Sequence, residues 1–295
     1  MLAAAARTAP VRTVRAGAVD LATRACGDPA GPPVLLVNGA GDTMDWWHDD
    51  LVDALAAAGR HVIRYDTRDT GGSTTFPVGP PPYDGDDLLA DALGVLDAYG
   101  VRAAHVVGVS MGGGLAQRMA VLCPGRTLGI TLLSTSPGGP GAPGNTDLPP
   151  MSAPLARWFA APGDGPDWGD RESVTGHLLA LERAFAGTIP LDEPLLRATA
   201  GRAWDRSPVP AAATNHWRLR CGVPVRGRLG EVAVPALVLH GTADPLVPYG
   251  HGEALAAEIP GARLVPLRGM GHQMPPVEVW EVLVPALIRH TSGGR

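Results

Sequence analysis

At 295 residues the chain is long enough to bury a large core, and 45% apolar with 18% charged residues marks it as globular rather than disordered. A formal net charge of −5, with no block of like charges, argues against nucleic-acid binding. The sequence contains no lysine, so its 24 basic residues are all Arg, and Schiff-base or pyridoxal-lysine chemistry on this chain is excluded.

In chain order, strand-length apolar runs alternate with amphipathic ones. Residues 34–37 are expected as a short buried strand ending at Asn38-Gly39, then a helix over 51–58 closed by Gly59. A strand at 61–65 ends at Asp66, and Leu88, Leu89, Ala92, Val95 and Leu96 give helical spacing over 86–99. Residues 104–109 read as a strand, 111–123 as a helix and 130–133 as a strand. This rhythm predicts an α/β fold, a mostly parallel sheet with helices on both faces.

The rhythm breaks at Ser136. Residues 136–150 hold four Gly and five Pro, which makes them a loop, and helices are expected at 174–185 and 195–204. Alternation resumes with a strand at 236–240, a helix near 253–259, a strand at 262–266 and a helix over 277–290. The expected organisation is a catalytic core of residues 1–135 and 229–295, with 136–228 as a helical lid inserted into it.

Cys26, Cys123 and Cys221 are odd in number and far apart, with no CxxC or Cys/His spacing, so no disulfide framework or structural zinc is indicated. The apolar run at 2–6 is too short for a secretory signal, and no run reaches membrane-spanning length. The expectation is a cytoplasmic protein without metal or other cofactor, acting on a small molecule rather than a nucleic acid or membrane. The oligomeric state is left open.

The chemistry begins where the strand at 104–109 runs into Gly108-Val109-Ser110-Met111-Gly112 and then a helix. This is G-x-S-x-G in a strand–turn–helix setting. The turn is tight enough that side chains two residues either side of the serine would collide, and it lifts the hydroxyl above the sheet. A serine hydroxyl needs a base to take its proton and a third group to orient that base. Asp244 follows the strand at 236–240, and His272 follows the strand at 262–266 within Gly269-Met270-Gly271-His272. Ser110, Asp244 and His272 are therefore the candidate triad, in the chain order usual for this turn; His240 and His251 are the rival bases. Oxyanion donors are expected from the backbone of Met111 and of Ala40 in the turn Asn38-Gly39-Ala40-Gly41-Asp42. The loop lacks the Lys-Ser/Thr ending of a nucleotide-binding loop.

Val34-Leu-Leu-Val-Asn-Gly39, the run from His61 to Thr75 containing Asp66-Thr-Arg68-Asp69, and His105-Val-Val-Gly-Val-Ser110-Met-Gly112 resemble the α/β-hydrolase superfamily. Within it they look most like aclacinomycin methylesterase and its bacterial relatives, which cleave a methyl ester from an aromatic polyketide. The resemblance implies a serine esterase of the α/β-hydrolase fold. Two departures are Asn38-Gly39 where many members have His-Gly, and Gly72 where close relatives have a larger residue. Asp66, Arg68 and Asp69 are read as braces of the oxyanion loop. Haloalkane dehalogenases and epoxide hydrolases of this fold carry a carboxylate where this chain has Ser110.

The expected substrate is a small apolar or aromatic carboxylic ester, a methyl ester included. Lactone hydrolysis, C–C hydrolysis, acyl transfer, and a non-hydrolytic cyclase or binding role on the same fold stand as alternatives. Trp46, Trp158 and Trp204 are candidate substrate contacts; packing within the lid and at a helix start explains the same residues.

Overall fold

The computed structural model describes residues 9–292 except 143, 162 and 164, so the apolar run at 2–6 lies outside the described residues. The described chain opens with a hairpin that the expectations above do not contain. Strands β1 (Arg12–Ala16) and β2 (Val19–Cys26) pair antiparallel across a turn at Gly17. Val14, Ala16, Val19 and Leu21 alternate inward while Arg12, Arg15 and Asp20 face out, which is the period of a half-covered edge.

The remaining elements follow as β3 (Pro33–Val37), α1 (Asp49–Ala57), β4 (His61–Tyr65), α2 (Gly85–Ala98), β5 (Ala104–Val109), α3 (Met111–Leu122) and β6 (Thr127–Leu133). The chain then leaves the sheet for α4 (Ala153–Ala160), α5 (Arg171–Phe185), α6 (Glu193–Arg206) and a 3₁₀ stretch at Pro210–Arg218. It returns with β7 (Ala236–Gly241), α7 (Gly250–Glu258), β8 (Arg263–Leu267) and α8 (Trp280–His290). Most expected elements recur with ends shifted by a few residues, as fraying and capping allow. The helix expected over 277–290 begins as a 3₁₀ turn, Val277–Val279, before α8.

The eight strands form one sheet in the order β1-β2-β4-β3-β5-β6-β7-β8. Both β1–β2 and β2–β4 are antiparallel; every other pair is parallel. Alternation along β3 sends Leu35 and Val37 to one core, with α2, α3 and α7, and Val34 and Leu36 to the other, with α1 and α8. Burial on both faces explains why these parallel strands read as continuous apolar runs.

Register sets the site. Val37 lies opposite Gly108, Val109 opposite Leu133, and Gly241 opposite Leu267, so the strands end along one edge. After β3 the chain builds outward to β4 and then crosses back to β5. The crevice at this reversal is where open α/β sheets hold their ligands.

Candidate active site

Ser110 sits at φ 52° and ψ −115°, an unusual backbone for a residue with a side chain. Such strain is worth about 1–3 kcal/mol and persists only where the surroundings enforce it. The glycines explain the enforcement. A methyl group on Gly108 would lie 2.1 Å from the Gly112 carbonyl oxygen, and one on Gly112 would lie 2.4 Å from that of Val37. The turn therefore closes against β3 only without those side chains. Ser110 N–H donates to the Leu133 carbonyl (2.9 Å) and Thr135 Oγ1 to the Ser110 carbonyl (2.7 Å), which fixes the turn to β6 as well.

His272 Nε2 lies 3.0 Å from Ser110 Oγ, and its Nδ1 lies 2.8 Å from Asp244 Oδ2. All three residues are buried. An ionised carboxylate only accepts, so Nδ1 carries the proton and Nε2 faces the hydroxyl as acceptor. The other Asp244 oxygen accepts from the backbone N–H groups of Leu246 (2.9 Å) and Val247 (2.8 Å), which fixes the carboxylate. His272 N–H donates to the Phe185 carbonyl at the end of α5 (2.8 Å), with the Phe185 ring edge-on to the imidazole at 5.5 Å. The rival histidines are engaged elsewhere. His240 Nε2 pairs with the Val247 carbonyl, and His251 bridges Ser136 Oγ and the Pro149 carbonyl, each contact 2.8 Å.

Met111 is the first residue of α3, where a backbone N–H has no partner within the helix. Across the crevice Gly41 N–H is taken by His216 Nδ1 (2.9 Å), whose Nε2 donates to the Arg68 carbonyl (2.8 Å). This clamp from the segment between β6 and β7 sets the turn that carries Ala40. Met111 and Ala40 both face the cavity above Ser110.

Beneath the turn, Asp66 is fully buried. It accepts from Met44 N–H (2.7 Å), Gly72 N–H (3.0 Å) and the Arg206 guanidinium (2.8 and 2.9 Å), while Arg206 also reaches Asp45 at 2.7 Å. Arg68 holds Asp91 through two bonds of 2.6 and 2.8 Å. Asp69 accepts from Tyr83 Oη, Phe76 N–H and Asn215 Nδ2. These three residues are thus structural, and they also tie the inserted helices to the sheet.

The cavity measures about 540 Å³. Its walls are mainly apolar, from Leu88, Val109, Leu115, Leu178, Leu181, Phe185, Trp217 and Leu246. None of the three tryptophans expected at the substrate lines it. Trp46 borders a smaller neighbouring cavity of about 130 Å³. Trp158 stacks edge-on with Phe159 at 5.2 Å, and Trp204 donates to the Trp168 carbonyl at 3.2 Å. Trp217 takes the wall position instead, because the 3₁₀ stretch folds back over the β3 turn.

Two carboxyls, Asp42 and Glu182, share this cavity and went unnoticed in the sequence. Burial pushes Asp42 up to about 7, with His272 pulling the other way; burial and then the Asp42 charge push Glu182 up to about 8. A lone Asp in a glycine-rich turn and a Glu on a helix carry no pattern that marks them. Among the described residues, no cluster of three His, Cys, Asp or Glu could hold a metal ion, and no helix is long and apolar enough to cross a membrane.

A family model described as the alpha/beta hydrolase fold matches residues 32–275. The chain belongs to the α/β-hydrolase family. This hydrolase is 33% identical to rhodomycin D methylesterase DauP of Streptomyces sp. (strain C5), across 96% of its own length and 98% of that protein. It is 32% identical to rhodomycin D methylesterase DnrP of Streptomyces peucetius over the same shares. Among solved structures, the esterase RhEst1 from Rhodococcus sp. ECU1013 superposes with a TM-score of 0.75 at 23% identity, covering 96% and 99% of the two chains, a likeness of fold alone.

Proposed function

We propose that this hydrolase cleaves a carboxylic ester of a small apolar or aromatic molecule, a methyl ester foremost, through an acyl-enzyme on Ser110. The observation that carries the reading is the chain of contacts from Ser110 Oγ through His272 to Asp244, opening onto a largely apolar cavity. The two methylesterase relatives, matched along nearly the whole chain, support the methyl ester.

Ser110 Oγ bonds to the ester carbon as His272 Nε2 takes its proton, and Asp244 stabilises the imidazolium. The carbonyl oxygen becomes an oxyanion, held by the N–H groups of Met111 and Ala40 at the positive end of α3. Collapse breaks the ester C–O bond, and His272 returns the proton to the leaving alcohol. Water, activated by the same imidazole, then releases the acid and restores Ser110.

Residues 136–228 serve in this reading as a helical lid over a core of 1–135 and 229–295. Arg206, Asn215 and His216 anchor it at the β3 and β4 ends. The setting is cytoplasmic, in keeping with three cysteines that remain free thiols. Labelling with a fluorophosphonate probe tests the nucleophile. Mass spectrometry should find the adduct on Ser110 and none on Ser110→Ala; an adduct elsewhere, or none at all, overturns the assignment.

A further inference from the structure

Asp42 and Glu182 come from different parts of the fold, the turn after β3 and helix α5, yet they face the same cavity as Ser110 and His272. Asp42 lies against the nucleophile's own neighbourhood. A methyl group added at Gly39 would be 2.8 Å from Asp42 Oδ2 and 3.7 Å from Ser110 Cβ. Both residues are part-buried and line the cavity, and Glu182 also borders the smaller one beside it. Among the described residues no hydrogen bond or ion pair engages either side chain. Gln273, next to the imidazole, is buried on the same wall, and its Oε1 has no partner among the described residues.

The cationic side of the ledger is thin. Arg118 reaches the cavity wall but is held by Asp86 and the Val223 carbonyl. His216 and His251 are occupied as described; His272, on the same wall, is the group whose charge acts on Asp42 and is itself held by Asp244, and Cys221 is the other titratable group there. Arg202, in the smaller cavity that shares Glu182 and Gln273, donates to Thr199 Oγ1 at 3.0 Å. An unneutralised acidic pair in a low-dielectric pocket is unfavourable unless a ligand brings positive charge or a proton joins it.

We propose that Asp42 and Glu182 act together as the charge filter of the cavity, favouring esters that carry an ammonium group near the scissile bond and turning away those that carry a carboxylate. The proposal rests on the ester-hydrolase reading above. The carboxylate product of hydrolysis, formed at Ser110, is repelled by the same pair, which favours its release.

The test compares p-nitrophenyl esters of similar length ending in a trimethylammonium, a methyl or a carboxylate group. At pH ~9, above the values of about 7 and about 8 to which burial pushes Asp42 and Glu182, wild type should favour the cationic over the anionic ester by on the order of a hundredfold in kcat/KM. In Asp42→Asn/Glu182→Gln that ratio should fall at least about tenfold. Reading a ratio cancels any general change in turnover. An unchanged ratio, or a wild type that prefers the anion, overturns the filter. Should the double variant fail to fold, the wild-type ratio decides: it should grow from about pH 6 to about pH 9, and a flat profile overturns the proposal. If wild type cleaves none of the three esters, fluorophosphonate labelling of Ser110 decides the hydrolase reading separately: labelling keeps it, with a selective pocket, and no labelling sinks it. Calorimetry on Ser110→Ala then judges the filter: tighter binding of phenyltrimethylammonium than of benzoate supports it, and equal or reversed affinity rejects it.

Discussion

Arg206, in the last turn of α6, and Asp66, just past β4, are joined by two hydrogen bonds of 2.8 and 2.9 Å, although 140 residues separate them. The carboxylate is fully buried while the Arg206 side chain keeps 18% of its surface exposed, and the carboxylate also holds Met44 and Gly72 N–H. Burial pulls the guanidinium down, but the hydrogen bonds and negative charges of Asp66 and Asp45 together outweigh it and hold Arg206 above its ordinary value. The pair thus secures helix α6 to the segment past β4 and to the stretch around Met44. Removing one partner leaves a buried charge uncompensated, so Arg206→Met should destabilise the fold by about 3–5 kcal/mol. Urea unfolding measures it; a loss below ~1 kcal/mol would show that water replaces the guanidinium.

Asp244→Asn keeps the shape but offers His272 an amide in place of a carboxylate. The imidazolium loses its counter-charge and the tautomer its bias, so kcat should fall by on the order of 10⁴ with KM little changed. Steady-state kinetics on p-nitrophenyl butyrate decide it. A fall of less than ~10-fold would remove Asp244 from the mechanism.

Two glycines predict opposite outcomes for the same substitution. Gly112→Ala forces a methyl group to 2.4 Å from the Val37 carbonyl and should lower the melting temperature and abolish fluorophosphonate labelling. Gly176, inside α5, has open space where a methyl would go, so Gly176→Ala should stabilise by about 0.5–1 kcal/mol. Thermal melts of the two variants side by side check both. Equal effects would contradict the steric reading of the turn.

The Asp42 and Glu182 carboxyls also act on stability. Their folded values of about 7 and about 8 lie above the ordinary 3.8 and 4.5. Between those limits the folded protein binds more protons than the unfolded chain, so stability falls as pH rises. The contribution is whole below the ordinary carboxylate range and is lost as pH climbs through about 7 to 8. Asp42→Asn/Glu182→Gln should therefore flatten the decline and melt higher than wild type at pH ~8, by at least ~2 °C. Parallel slopes for the two proteins from about pH 5 to about pH 8 would exclude the linkage.

Much of this was legible from local chemistry. Strand 104–109 flows into Ser110 and α3 because buried β-branched residues give way to Gly108 and Gly112, and that pattern has few other solutions. Asp244 and His272 each follow a parallel strand, and parallel strands bring their C-terminal ends to one edge, so chain order predicts proximity. The β1–β2 hairpin was also readable in the alternation of Val14, Ala16, Val19 and Leu21, but its small and charged residues lack the apolar run that marks the buried strands. Helix α4 hides behind a Gly/Pro-rich loop and a Pro at its start. What local pattern cannot supply is the path of residues 136–228 over the sheet. That path decides why Trp217 rather than Trp158 or Trp204 borders the cavity, why His216 meets Gly41, and why Glu182 meets Asp42.

The most direct measurement of the central claim is hydrolysis of p-nitrophenyl acetate and butyrate by wild type and by Ser110→Ala, with folding of the variant checked by circular dichroism. Turnover by wild type and a fall in kcat on the order of 10⁴-fold or more in the folded variant is the predicted result. A folded Ser110→Ala that retains wild-type turnover would contradict the account, because the reaction would then proceed without the hydroxyl on which every step is built.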